Sequence, residues 1–169
     1  FHMCFGKVPS KEMVRAFDVS LILYAEHSFN VSTFTARTIT SSLSDIHGAI
    51  TGAIASLKGS LHGGANEEVM HMMDKIKKPE NALKWINNAL DKKEVVMGFG
   101  HRVYKKGDSR VPTMEKYFKK VSKVKNDKKF LKIYEIVKNV MIERKDIHPN
   151  VDFPTGPTYH LMGFDTDFF

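Results

Sequence analysis

Histidine, arginine and aspartate recur in this chain on short segments left between periodic apolar runs, and these residue types move protons and hold anions. Ala25-Glu26-His27-Ser28-Phe29-Asn30 ends one apolar run. Leu61-His62-Gly63-Gly64-Ala65-Asn66 joins two others and sets a histidine beside two glycines. Gly98-Phe99-Gly100-His101-Arg102 follows a short apolar stretch, and Pro149-Asn150-Val151-Asp152-Phe153-Pro154 lies between two more runs. A rigid scaffold can aim side chains from several such connections at one cleft. Taken singly, each has a plain reading. A lone histidine is more often a surface or hydrogen-bonded structural residue. Gly98-Phe99-Gly100 lacks the full phosphate fingerprint and its strand-to-helix setting. His47, His62 and His71 lack metal-ligand spacing, so no metal site is expected. Asp152, near two prolines, fits a turn.

The elements that must position these segments are helical. Met13, Phe17, Leu21 and Tyr24 recur at three and four residues behind Pro9-Ser10. Phe34, Ile39 and Leu43 form a second run, capped by Asn30 or Ser32. Ile46, Ile50, Ile54, Leu57 and Leu61 form a third. Asn66 suits the cap of a helix through Val69, Met73 and Ile76, with Glu67 and Glu68 at its positive end. Pro79 suits a first helical position ahead of Leu83, Ile86 and Leu90. Met114, Phe118 and Val121, then Phe130, Ile133, Val137, Val140 and Met141, complete the pattern. Glu94-Val95-Val96-Met97 is the one strand candidate, too short to build a sheet. The fold class is all-α. Helices at about 10–28 and 32–44 are apolar on more than one stripe, which calls for cover from further chain or from another subunit.

Composition narrows the function classes. A hydrophobic fraction of 42% with 27% charged residues is that of an ordinary globular protein. Cys4 has no second cysteine to pair with, and no signal segment leads the chain, so a reducing cytoplasm is the default. No apolar stretch reaches the roughly 20 residues of a membrane span. The formal charge of +7 lies largely in lysines between positions 116 and 138, interleaved with core residues. That spacing makes a solvated helix face, and no base-reading motif accompanies it, so nucleic acid is not expected. The start at Phe1 and the apolar close at Phe168-Phe169 read as excised ends.

Together the segments carry a family resemblance. Ser60-Leu61-His62-Gly63-Gly64-Ala65-Asn66-Glu67 resembles the GPLHGGANE signature of citrate synthases. Gly98-Phe99-Gly100-His101-Arg102-Val103-Tyr104-Lys105 resembles their GFGHRVYK, Gly107-Asp108-Ser109-Arg110 their GDPR, and Pro149-Asn150-Val151-Asp152 their PNVD. Glu26-His27-Ser28-Phe29-Asn30 with Ser32-Thr33-Phe34-Thr35-Ala36-Arg37 resembles EHxFNxSTFTAR. The order is right, and the resemblance spans essentially the whole chain. Ser60 and Ser109 stand where the family usually has proline, which loosens a loop without removing a reactive group.

The resemblance implies condensation of an acyl-CoA with oxaloacetate, followed by thioester hydrolysis to citrate or 2-methylcitrate and CoA. By motif, Asp152 would be the base that deprotonates the carbon beside the thioester, His62 the donor to the thioester oxygen, and His101 the group that polarises the oxaloacetate carbonyl. His27 and Arg110 would hold oxaloacetate. Val96, Met97, Gly98, Phe99 and Gly100 would hold the CoA adenine through backbone groups, with Lys105 near its phosphates. Such a carbon acid yields to a carboxylate only where a placed donor meets the charge on oxygen, a contribution of about 10²–10³-fold. The glycines beside His62 would let backbone approach the ligand. The acyl-CoA is a co-substrate, and no tightly bound cofactor is expected. On the family's architecture residues 1–61 belong to a large helical domain, 62–152 to a small one, and 153–169 return to the large domain. A homodimer follows, as does little activity for this stretch by itself, whose alternative reading is a non-catalytic CoA-binding fragment. The stretch from Phe153 to Tyr159 and on to Asp165 resembles 2-methylcitrate synthases, and the acyl preference leans that way.

Overall fold

After a single turn, α1 (His2–Phe5), three polar side chains start three helices. Ser10 Oγ accepts from the Met13 N–H (3.3 Å) to open α2 (Lys11–Tyr24). Asn30 Oδ1 accepts from Thr33 (2.7 Å) to open α3 (Val31–Ser41), and Asp45 Oδ1 accepts from Gly48 (2.8 Å) to open α4 (Ile46–Leu57). Each satisfies an N–H that the first turn leaves without an intrahelical partner. The structure, a computed structural model, describes residues 1–25, 30–101 and 103–169. Further along come α5 (Ala65–Ile76), α6 (Pro79–Asp91), α7 (Val111–Val124), α8 (Lys129–Lys145) and α9 (Asp152–Met162), closed by a 3₁₀ turn (Thr166–Phe168).

Among the described residues there is no strand, and the protein is all-α as the periodicity predicts. Residues 94–97 are irregular. Val96 turns into the core, Val95 is 79% exposed, and the nearby backbone makes an isolated bridge between Phe99 and Pro149. Asn66 is not the cap of α5. It lies buried inside the first turn, its Oδ1 accepts from the adjacent Glu67 N–H (3.0 Å), and Gly64 takes the cap position. The larger departure is α9, which begins at Asp152 itself. Pro157 lies inside it, and Phe153, Pro154, Thr155, Gly156, Pro157 and Thr158 are all buried. The Thr155 and Thr158 hydroxyls donate to carbonyls four residues back (2.7 and 2.6 Å). Burial on every side overrides the local cost of proline.

The main core gathers Val69, Met73, Ile86, Phe118, Ile133 and Phe153 from α5 to α9. A second cluster joins Ala16, Val121, Met162 and Phe164, with Phe17 stacked on Phe164 at 5.4 Å. α5 and α7 both pack on α9, α6 packs on α8, and α2 packs on α7. α3 lies on α4, and this hairpin leaves Phe34, Ile46, Ile50 and Ile54 at least half exposed. α2 likewise exposes Leu21 and Ile22.

Candidate active site

Asp152 is placed by its helix and by its neighbours. As the first residue of α9 it sits at the positive end of the helix, where a negative charge is favoured. Its backbone N–H donates to Asn150 Oδ1 (3.1 Å), and the Tyr24 hydroxyl from α2 donates to its Oδ1 at 2.6 Å. Burial, and next the Asp152 charge, push the Tyr24 phenol well above its ordinary range, so it keeps its proton and acts as donor. Phe153, the next residue, is clamped between Tyr134 (stacked, 4.5 Å) and Phe99 (4.5 Å). Aromatic pairs of this kind contribute about 0.5–1.5 kcal/mol each beyond buried area.

Asn150 ties this helix start to the glycine loop. Its N–H donates to the Gly98 carbonyl (2.9 Å) and its Nδ2 to the Gly100 carbonyl (3.0 Å), while Gly100 N–H donates to the His148 carbonyl (2.9 Å). His101 follows directly. Its Nδ1 accepts from the backbone N–H groups of Val103 and Tyr104, both at 3.1 Å, so the neutral ring carries its proton on Nε2. The Tyr104 ring lies 4.6 Å from that of His101, and the Arg110 guanidinium carbon lies 5.5 Å from the centre of the Tyr104 ring.

The Arg110 side chain is largely buried and held by Asp108 through Nε (2.9 Å) and Nη2 (2.7 Å). Burial works against both charges, but their mutual hydrogen bonds win. The Asp108 carboxyl is held below the usual range and the guanidinium above it. His62 stands on a turn after α4. Its Nε2 faces the Ser32 hydroxyl (2.9 Å) and the Ser32 backbone N–H (3.3 Å) at the start of α3. The backbone proton is fixed, which makes Nε2 the acceptor and leaves the ring proton on Nδ1. The neighbouring glycines serve a protein contact. A Cβ at Gly63 or Gly64 would come within 2.7 Å of the Leu57 or Lys58 carbonyl at the end of α4.

The fold thus joins His101, Arg110 and Asp152 in one bonded cluster of loops, and sets His62 at the α3–α4 side ahead of α5, which packs on α9. His27 lies outside the described residues, as does Arg102. Lys105 is exposed, and Val96 is buried with its side chain in the core. Tyr24, Ser32, Asp108 and Asn150 are positioned by the fold and carry no site role in the sequence reading. A signal existed for two of them: Asp108 and Asn150 each accept from the backbone N–H two residues on, the local turn habit of Asp and Asn. A groove of about 540 Å³ beside α7 and α8, lined by Glu115, Lys119, Lys138 and His148, contains none of the expected site residues. Glu115 already pairs with both of those lysines. Among the described residues no cluster of His, Cys, Asp and Glu could hold a metal ion, and no helix is long and apolar enough to cross a membrane.

Comparison with known proteins identifies the family. A family model described as citrate synthase, C-terminal domain, matches residues 1–169, and the chain belongs to the citrate synthase family. It is 59% identical over 172 residues to 2-methylcitrate synthase 2 of Corynebacterium glutamicum, covering 99% of this chain and 45% of that protein. To the citrate synthase of Mycolicibacterium smegmatis it is 55% identical over 168 residues, with 99% and 45% covered. Among solved structures, a Thermoplasma acidophilum citrate synthase in ternary complex with carboxymethyl coenzyme A and oxaloacetate superposes with a TM-score of 0.88 at 38% identity, over 98% of this chain and 45% of that one. The chain spans less than half the length of these relatives.

Proposed function

We propose that the protein condenses an acyl-CoA with oxaloacetate and that water then hydrolyses the resulting thioester, giving citrate or 2-methylcitrate and free CoA. The observation that carries this reading is the bonded cluster itself: a carboxylate at a helix start, a histidine of fixed tautomer, and a carboxylate-binding arginine, joined through Asn150 and Asp108. Asp152 removes the proton from the carbon beside the thioester. His62, protonated on Nδ1, donates to the thioester oxygen as the enolate forms, and His101 donates from Nε2 to the oxaloacetate carbonyl under attack. Arg110 pairs with an oxaloacetate carboxylate, and His27 contributes to the same hold. The backbone of Val96, Met97, Gly98, Phe99 and Gly100 holds the CoA adenine, with Lys105 toward its phosphates, and Asn150 braces this loop through the Gly98 and Gly100 carbonyls.

The division into residues 1–61, 62–152 and 153–169 belongs to the same proposal, as do a cytoplasmic setting and a homodimer. The exposed apolar residues of α2, α3 and α4 support the dimer. Relatives named for 2-methylcitrate support propionyl-CoA as an acyl donor beside acetyl-CoA. One methylene in a pocket is worth only about 1–3 kcal/mol, so both donors should turn over. The test is release of free thiol from each acyl-CoA by the complete product of the reading frame. Release that requires oxaloacetate, and that falls about 10²–10⁴-fold in Asp152→Asn, is expected. Thiol release independent of oxaloacetate, or none at all, would refute the reading.

A further inference from the structure

Asp108 has no part in the chemistry above, yet its carboxylate takes donors on both oxygens with its side chain 0% exposed. Oδ1 accepts from the Arg110 backbone N–H (3.0 Å) and from Arg110 Nε (2.9 Å). Oδ2 accepts from Arg110 Nη2 (2.7 Å) and from the Val151 N–H (2.9 Å). Val151 directly precedes Asp152. One buried carboxylate therefore holds the substrate-binding guanidinium and the backbone from which the base springs, across 43 residues of sequence. We propose that Asp108 is a positioning residue that sets the separation of Arg110 and Asp152, and with it the place of the 2-oxo acid relative to the base. This inference rests on the roles assigned above.

The chemistry explains why a carboxylate is needed. All four partners are donors, and two are fixed backbone N–H groups. An amide can match them on one edge only, and its NH₂ must then face an N–H on the other. With Nε and Nη2 bonded to Asp108, the guanidinium is oriented by a two-point contact, and Nη1 is the nitrogen that Asp108 does not engage. The same grip fixes the guanidinium at 5.5 Å from the Tyr104 ring, which itself lies against His101. The placement of Arg110 thus reaches the carbonyl-polarising histidine as well.

The experiment compares Asp108→Asn and Asp108→Glu in the complete product of the reading frame, by steady-state kinetics in both substrates and by amide hydrogen exchange at Val151 and Arg110. Asp108→Asn is expected to raise the oxaloacetate KM at least about tenfold and to lower kcat about 10²-fold. The acyl-CoA KM stays unchanged, and exchange at Val151 accelerates. Asp108→Glu keeps the charge on Arg110 and returns the oxaloacetate KM toward the parent value, while its added methylene displaces Val151 and leaves kcat low. A purely structural role would lower kcat through loss of folded molecules with both KM values unmoved, and that result overturns the proposal. If the parent protein shows no oxaloacetate-dependent turnover, the functional reading fails, and the exchange data then decide this one. A Val151 amide still protected in Asp108→Asn would sink the bridge; loss of that protection supports it.

Discussion

Replacing Gly98 by alanine measures how closely the 96–100 loop is pressed against the helix that carries Asp152. Gly98 has φ +83°, and a Cβ there would lie 2.8 Å from Phe153 Cβ, 2.8 Å from Val69 Cγ2 and 3.0 Å from Phe153 Cα. Relaxed carbon–carbon contacts lie at about 3.5–4.0 Å. Neither Phe153 atom can rotate away: both belong to the first turn of α9, whose ring is clamped by Tyr134 and Phe99. Val69 is fully buried. The left-handed backbone costs an alanine about 1–2 kcal/mol, and overpacking of a fixed neighbour about 1–3 kcal/mol more, so the substitution should destabilise by roughly 2–5 kcal/mol. Gly100 is the control. Its φ of +74° carries the same backbone penalty, but the nearest atom to an added Cβ is Ile147 Cγ2 at 3.6 Å, an ordinary contact. Gly100→Ala should therefore cost only about 1–2 kcal/mol. Urea unfolding of both variants reads the difference directly, and CoA release should fall more in Gly98→Ala because Asp152 moves with Phe153. Equal unfolding costs would show that the loop does not press on α9 and would refute the reasoning.

Two further outcomes follow from the same contacts. Tyr24→Phe removes the hydroxyl donated to Asp152 and should lower kcat roughly tenfold, the equivalent of a hydrogen bond worth about 1.4 kcal/mol, with both KM values little changed; a full kinetic comparison reads this, and an unchanged kcat would remove Tyr24 from the site. Titration has a sign at each end of the pH scale. Asp108 and Glu115 are held below their ordinary values when folded, so the stability they contribute is complete above about pH 4 and is lost as pH falls through their folded values. Tyr24, Tyr134 and Tyr159 are raised by burial, so their contribution is complete below about pH 10 and is lost as pH rises beyond it. Tyrosine absorbance followed against pH should show these phenols ionising together with unfolding rather than before it.

Much of the molecule was legible in the residues alone. Spacings of three and four among apolar positions located α2 and α4 to α8, because a helix with one buried face must repeat its apolar residues at that period. Ser10, Asn30 and Pro79 marked helix starts through chemistry local to one turn. The signature strings pointed to the family, whose model matches residues 1–169. Local reasoning placed the connection 149–154 between two runs, but not the start of α9 at Asp152 within it, where burial in the core holds Pro154, Gly156 and Pro157 in a helix. The tetrapeptide 94–97, too short to build a sheet, is irregular.

The sequence by itself determined which side chains are available for chemistry and on which helices' ends they lie. Tertiary structure alone decided what grips them. Tyr24 reads as one more apolar-face residue until α2 brings its hydroxyl 2.6 Å from Asp152, 128 positions away. Asp108 reads as a turn residue until Oδ2 meets the Val151 N–H, and Ser32 as a helix cap until it meets His62, 30 positions on. Periodicity and motif are properties of neighbours along the chain. A hydrogen bond that orients a catalytic group depends on a distance of about 3 Å between elements far apart in sequence, and that distance is set by how the helices pack.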